Sequence, residues 1–151
     1  MGSEHEKFMA MAIEEARKGL RSGEPPFGAV IVRDGQVVGR AYNTVNSSGD
    51  PTAHAEIVAL RQAGTEARNY RLTGAVLYAT VEPCAMCCGA AIHARLARVV
   101  YGAADPKGGA ARSLYRLLDD PRLNHAVAVA GPVRGEESAA LLREFFERKR
   151  A

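Results

Sequence analysis

One histidine and two cysteines carry the clearest chemistry in the chain: His54 in His54-Ala55-Glu56, with Cys84 and Cys87 in Pro83-Cys84-Ala85-Met86-Cys87. An imidazole and two thiolates suit a zinc ion, and three protein ligands leave one coordination position open. A closed structural site has no room for a reactive water, whereas an open one can hold it. Such a water needs a base. Glu56 lies outside the ligand set, close to the histidine in the chain, and its carboxylate is placed to take a proton from water and deliver it to a leaving group.

These side chains meet only if the surrounding elements bring them together. With Pro83 as the first residue of a helix, a position proline favours, Cys84 and Cys87 fall at i and i+3 on one face. Both sulfurs then lie in the first turn, where the partial positive charge of the helix end favours thiolate. Asp50-Pro51-Thr52, followed by apolar residues at Ile57 and Leu60, supplies a cap and then a helix from about Thr52 to Ala63. His54 and Glu56 stand about 200° apart around a regular helix, so one ion serves both only beyond the helix's N-terminal end. Two helix N-termini must therefore point at one ion. The one rival fourth ligand, His93, lies a rise of roughly 9 Å along the helix from Cys87, too far to share it. Cys88 is rotated by about 100° from Cys87 and reads as a small buried apolar residue.

The 151 residues are 47% hydrophobic, enough for the core of one domain spanning residues 1–151. There is no apolar run long enough to span a bilayer and no charged-then-apolar leader, so a cytoplasmic protein is expected. Three cysteines, two at metal spacing, argue against a disulfide framework. A formal net charge of +3 permits a polyanionic partner without requiring one. Basic residues gather at Lys107, Arg112, Arg116 and Arg122, and again at Arg148-Lys149-Arg150. Near a cleft such charges hold phosphates; elsewhere they are solvated surface.

Along the chain, Phe8, Met9, Ala12, Ile13 and Ala16 mark an amphipathic helix from Glu4 to Leu20. Phe27 to Val32, Asp34-Gly35, and Val37 to Tyr42 read as a hairpin with a type I′ turn. Strands are expected over Gly74 to Thr80, Arg98 to Tyr101 and Ala126 to Ala130, with the cysteine helix running to about His93. Asp105 to Ala111 is a Gly-rich loop, and a short helix is expected around Ser113 to Leu118. Leu141/Phe145 and Leu142/Phe146 mark a closing helix from Glu136 to Arg148. The predicted fold is α/β, a three-layer α/β/α arrangement around one mixed sheet of about five strands. Both metal helices follow strands, so their N-termini emerge at one sheet edge, where ligands bind in such folds.

His-Ala-Glu followed by Pro-Cys-x-x-Cys resembles the zinc-dependent nucleobase and nucleoside deaminase superfamily. Within it the chain is similar to the bacterial tRNA-specific adenosine deaminase family over nearly its whole length. The similar fragments include Asp50 to Ile57, Asn69-Tyr70-Arg71-Leu72, Glu82 to His93, Arg98 to Ala103, Lys107 to Ala111, Asn124-His125 and Ala140 to Phe146. The resemblance implies hydrolytic deamination of the wobble adenosine in a tRNA anticodon stem-loop to inosine. It assigns zinc to His54, Cys84 and Cys87, with a zinc-bound hydroxide attacking C6 of adenine and Glu56 shuttling protons. It also implies that Asn43 meets the purine edge, that Phe27 and Val30 line the base pocket together with Ala55 and Pro83, and that Asp105, Lys107 and Asn124 grip the flipped nucleotide. The family is homodimeric, and His93 is expected in the core or at that interface.

Pro25-Pro26-Phe27-Gly28 and Asn46-Ser47-Ser48-Gly49 resemble the guanine and cytosine deaminases, which share the zinc motifs and act on free bases. A free-base deaminase is therefore the alternative enzyme. An RNA-binding module whose zinc only holds the fold is a third reading, and it would leave Glu56 and the missing fourth ligand unexplained.

Overall fold

The computed structural model describes residues 2–150, the side chain of Arg150 excepted. Met1, Ala151 and the side chain of that last member of the basic C-terminal run lie outside what is described. Helix α1 (Gly2–Arg21) buries Phe8, Met9, Ala12, Ile13, Ala16 and Leu20, the stripe that its periodicity predicts. Strands β1 (Gly28–Arg33) and β2 (Gln36–Tyr42) form the expected hairpin. Its turn has positive φ at both Asp34 (53°) and Gly35 (75°), as a type I′ turn demands.

A short helix α2 (Val45–Ser48) follows, then α3 (Ala55–Ala67), β3 (Val76–Val81), α4 (Ala85–His93) and β4 (Arg98–Ala103). Strand β5 (Ala128–Ala130) and helix α5 (Gly135–Arg150) close the chain. The five strands make one sheet in the order β2-β1-β3-β4-β5. β1 runs antiparallel to both its neighbours, and β3, β4 and β5 are parallel. The expected mixed five-stranded α/β architecture is the observed one.

Alternation along the strands sorts side chains into two cores. Ala29, Ile31, Leu77 and Val99 face α3 and α4, while Val30, Tyr78 and Val100 face α1 and α5. The central strands β1, β3 and β4 are buried on both sides, which explains their nearly unbroken apolar runs. Each fully buried Ile or Val contributes about 1.5–3 kcal/mol relative to exposure.

Four local expectations are corrected. The Asn46-Ser47-Ser48 loop holds a helical turn, α2, although its residue types favour caps and turns. No helix spans Ser113 to Leu118; only a 3₁₀ turn forms, at Leu117–Asp119. Both metal helices begin later than expected. His54 and Cys84 are themselves the residues before the first helical turn, with extended backbones (ψ 152° and 178°). Asp50 does not cap α3: its carboxylate accepts the N–H and hydroxyl of Thr52, at 2.8 and 2.7 Å, closing a separate turn.

Candidate metal centre and active site

Because β1 is antiparallel to β2 and β3, the chain leaves β2 and β3 at the same sheet edge and enters β1 there. That edge gathers Phe27, Asn43, the start of α3, the start of α4 and the loop after β4. The Asn43 N–H donates to the Phe27 carbonyl at 3.1 Å, and the Gly28 N–H donates to the Thr80 hydroxyl at 3.0 Å, fixing the strand ends to one another. A cavity of about 320 Å³ opens there, lined by Pro25, Phe27, Asn43, Val45, His54, Glu56, Val81, Glu82, Cys84 and Asp105. Its apolar walls with a few convergent polar groups have the make-up of a small-molecule site.

At its floor the His54 Nδ1 lies 3.6 Å from the Cys84 sulfur and 3.5 Å from the Cys87 sulfur. Tetrahedral zinc with ordinary Zn–N and Zn–S bonds separates such donors by about 3.6 Å. The residues fit zinc. Among the described residues no fourth histidine, cysteine or carboxylate joins this cluster, whose donor atoms all lie within 4.8 Å of one another. The position the sequence leaves open is therefore open in space. His93 is exposed and lines a different depression, between α3 and α4, so it is neither ligand nor core residue. Cys88 is fully buried in the α3/α4 core, and burial pushes its thiol up to about 12, keeping it inert.

The sulfurs share protons unequally. Hydrogen bonds from the Cys87 thiol and from His54 hold Cys84 down to about 3, and the same hydrogen bond together with burial pushes Cys87 up. A metal ion held here would take both as thiolates, so its binding would release a proton. Pairing with Cys84 likewise raises His54. Glu56 is only 8% exposed, and burial raises its carboxyl to about 7. A carboxyl near neutrality can both accept and return a proton, as a general acid–base requires.

The other sequence-predicted residues divide. Phe27, Asn43 and Asp105 line the cavity. Asn43 is buried, and its side-chain oxygen accepts the Val45 N–H at 3.3 Å. Ala55 is fully buried at the start of α3, and the buried Pro83 accepts the Ala110 N–H at 2.8 Å. Val30 is not in the cavity wall: the pleat turns it into the α1/α5 core, on the face opposite the metal helices. Lys107 and Asn124 are exposed and stand outside the lining. The basic cluster is mostly engaged internally. Arg112 donates to the Gly131 and Val129 carbonyls, at 3.0 Å each, while Arg116 pairs with Asp119 and Arg122 with Asp120.

Two buried carboxylates escaped the sequence reading. Glu24, 1% exposed, accepts the Asn46 and Ser47 N–H groups of α2, at 3.2 and 2.7 Å. Glu82, 3% exposed, directly follows β3, leads into Pro83-Cys84 and accepts hydrogen bonds from the Asp105–Ser113 loop. Burial pushes the Glu82 carboxyl up, but the Ser113 hydroxyl and the backbone N–H groups outweigh it and hold it below its ordinary value. Its available signal was a charge closing an apolar strand directly before the metal motif.

A three-layer fold with two helix N-termini converging on a His-Cys-Cys set, and an acid at its side, defines a zinc-dependent deaminase. The chain belongs to the cytidine and deoxycytidylate deaminase zinc-binding family, whose model matches residues 2–103. It is 44% identical to a tRNA-specific adenosine deaminase of Haemophilus influenzae, over 96% of this chain and 84% of that protein. A structure solved in a study of A-to-I editing by tRNA:A34 deaminases at the wobble position superposes with a TM-score of 0.87 at 45% identity, covering 90% of this chain and 99% of that one. A guanine deaminase from Bacillus subtilis is 34% identical with a TM-score of 0.66, over 97% and 93% of the two chains.

Proposed function

We infer that this protein hydrolytically deaminates the wobble adenosine of a tRNA anticodon to inosine. The observation that carries the reading is the three-donor centre with Glu56 beside it, in a chain more alike to tRNA-specific adenosine deaminases than to the guanine deaminase. His54, Cys84 and Cys87 would hold the zinc, which would supply a water acidic enough to react at neutral pH. Glu56 takes a proton from the attacking water and passes it to N1 of adenine as the oxygen bonds to C6. It then carries the second proton to the exocyclic amine, the C6–N bond breaks, and ammonia leaves.

The cavity wall orients the base. Phe27 packs on the ring, and Asn43, whose oxygen is taken by the Val45 N–H, presents its amide nitrogen to the purine edge. The Ala55 N–H, in the first turn of α3, has no partner within the helix and is a donor for the ring. Pro83 closes the wall beside it. Asp105, Lys107 and Asn124 meet the sugar and phosphates around the flipped nucleotide, with Lys107 as the charge that holds phosphate.

Two copies pair through the open depression of about 800 Å³ between α3 and α4, where Ile57, Leu60, Tyr70, Ala90 and His93 leave apolar surface in water. Light scattering at micromolar concentration should give a dimer mass; a monomer there contradicts the pairing. No described helix is long and apolar enough to cross a membrane, in keeping with action on tRNA in the cytoplasm.

The decisive assay incubates zinc-loaded protein with an anticodon stem-loop bearing a wobble adenosine, beside free guanine and free cytosine. Inosine in the RNA with no ammonia from the bases supports the reading. Ammonia from a free base with the RNA unchanged makes the protein a free-base deaminase.

A further inference from the structure

Glu82 faces the cavity, yet it has no capacity left for chemistry. One carboxylate oxygen accepts the Asp105 N–H at 3.1 Å and the Ser113 hydroxyl at 2.5 Å. The other accepts the N–H groups of Ala111, Arg112 and Ser113 at 3.2, 2.8 and 2.9 Å. An ionised carboxylate offers about four lone-pair sites, so these donors saturate it. It can neither shuttle a proton nor ligate a metal without releasing the loop that they belong to.

Those donors sit at both ends of the Asp105–Ser113 loop, and the hydrogen bonding continues inward. The Asp105 carboxylate accepts the Lys107 and Gly108 N–H groups at 3.1 Å each. Gly109 packs directly on the carboxylate: a Cβ there would stand 2.5 Å from both oxygens of Glu82. Only glycine allows that approach. On its other side Glu82 adjoins Pro83 and Cys84, and the Ala110 N–H donates to the Pro83 carbonyl at 2.8 Å. The loop is thereby registered to the strand end that presents a metal ligand.

We propose that Glu82 is a positioning residue for substrate: its saturated carboxylate sets the Asp105–Ser113 loop against the metal floor and so fixes where Asp105 and Lys107 meet the flipped nucleotide. This rests on the reading above that the loop contacts RNA. Because the clamp acts on the loop and not on the reacting atoms, its loss falls on substrate binding rather than on turnover.

The test compares wild type, Glu82→Gln and Ser113→Ala, all zinc-loaded, by amide hydrogen exchange and by steady-state kinetics on the stem-loop. Glutamine turns one acceptor oxygen into a donor facing N–H groups. Exchange at residues 105 and 111–113 should rise about tenfold or more while Val76–Val81 and Ala85–His93 stay protected. The stem-loop KM should rise about tenfold, with kcat changed by no more than about threefold and zinc retained. Ser113→Ala, which removes a single donor, should show the same pattern with a KM increase of about twofold to threefold.

Unchanged loop exchange overturns the clamp, and a loosened loop with unchanged KM overturns its role in binding. Joint loss of zinc and kcat overturns it too, since Glu82 would then serve the metal helix. If Glu82→Gln does not fold, wild-type exchange and KM in Ser113→Ala overturn the proposal. A wild-type protein that leaves the stem-loop unconverted defeats the functional reading instead, and the exchange data still decide the clamp.

Discussion

His54 and Cys84 cap helices whose inner faces sink into one apolar core, whereas the rim of the same cavity, α2 and the Asp105–Ser113 loop, is tied down by Glu24 and Glu82. The floor inherits its precision from helix and strand geometry. The rim has little regular structure, so its backbone N–H groups find buried carboxylates instead. A charged acceptor with several N–H donors is stronger than a neutral one, and losing it leaves each donor unsatisfied. In the function proposed above, chemistry falls on rigid elements and substrate contacts on loops held by a few polar anchors. Floor and rim should therefore fail separately.

The largest effect belongs to the floor. Cys87→Ala should abolish deamination and release zinc, measured by metal analysis of the purified protein and by the stem-loop assay, because two remaining donors hold the ion poorly. Retained zinc and turnover would dissolve the distinction. Next comes the rim at its tightest contact. Gly109→Ala forces a methyl group against Glu82 and should cost about 1–3 kcal/mol of stability by denaturant unfolding, with zinc content unchanged. Loss of zinc in that variant would show that the two regions are one unit.

Glu24→Gln should raise the stem-loop KM by about threefold to fivefold, since α2 carries Val45 and its start adjoins Asn43, with kcat nearly constant. The smallest effect is expected at Lys107, which is exposed. Lys107→Ala should weaken binding by about twofold at physiological salt and lower the salt-dependence slope by about one, because a single phosphate contact is removed. A drop in kcat without a change in that slope would place Lys107 at the chemistry instead.

The same contrast explains what the sequence made legible. His54, Cys84 and Cys87 were readable because metal ligation needs particular donors at short spacings, and helix geometry converts those spacings into directions. The sheet was readable because two-sided burial writes continuous apolar runs into Val76–Val81 and Arg98–Ala103. Glu24 and Glu82 were not, since their partners are backbone N–H groups 22 to 31 residues away, and a backbone donor carries no residue-type signature. Val30 was misplaced because an apolar strand residue says that it is buried, while only the pleat says on which face. The helix starts slipped by a few residues because His54 and Cys84 hold the cap positions themselves, and neither is a residue type that marks a helix start in sequence.

The proposed role of Glu56 as the proton carrier beside the metal centre is tested most directly by one substitution. Glu56→Gln, with zinc content measured alongside inosine formation in the stem-loop, should keep its metal and lose about a hundredfold to ten-thousandfold in kcat. Turnover near wild type with zinc bound would contradict it.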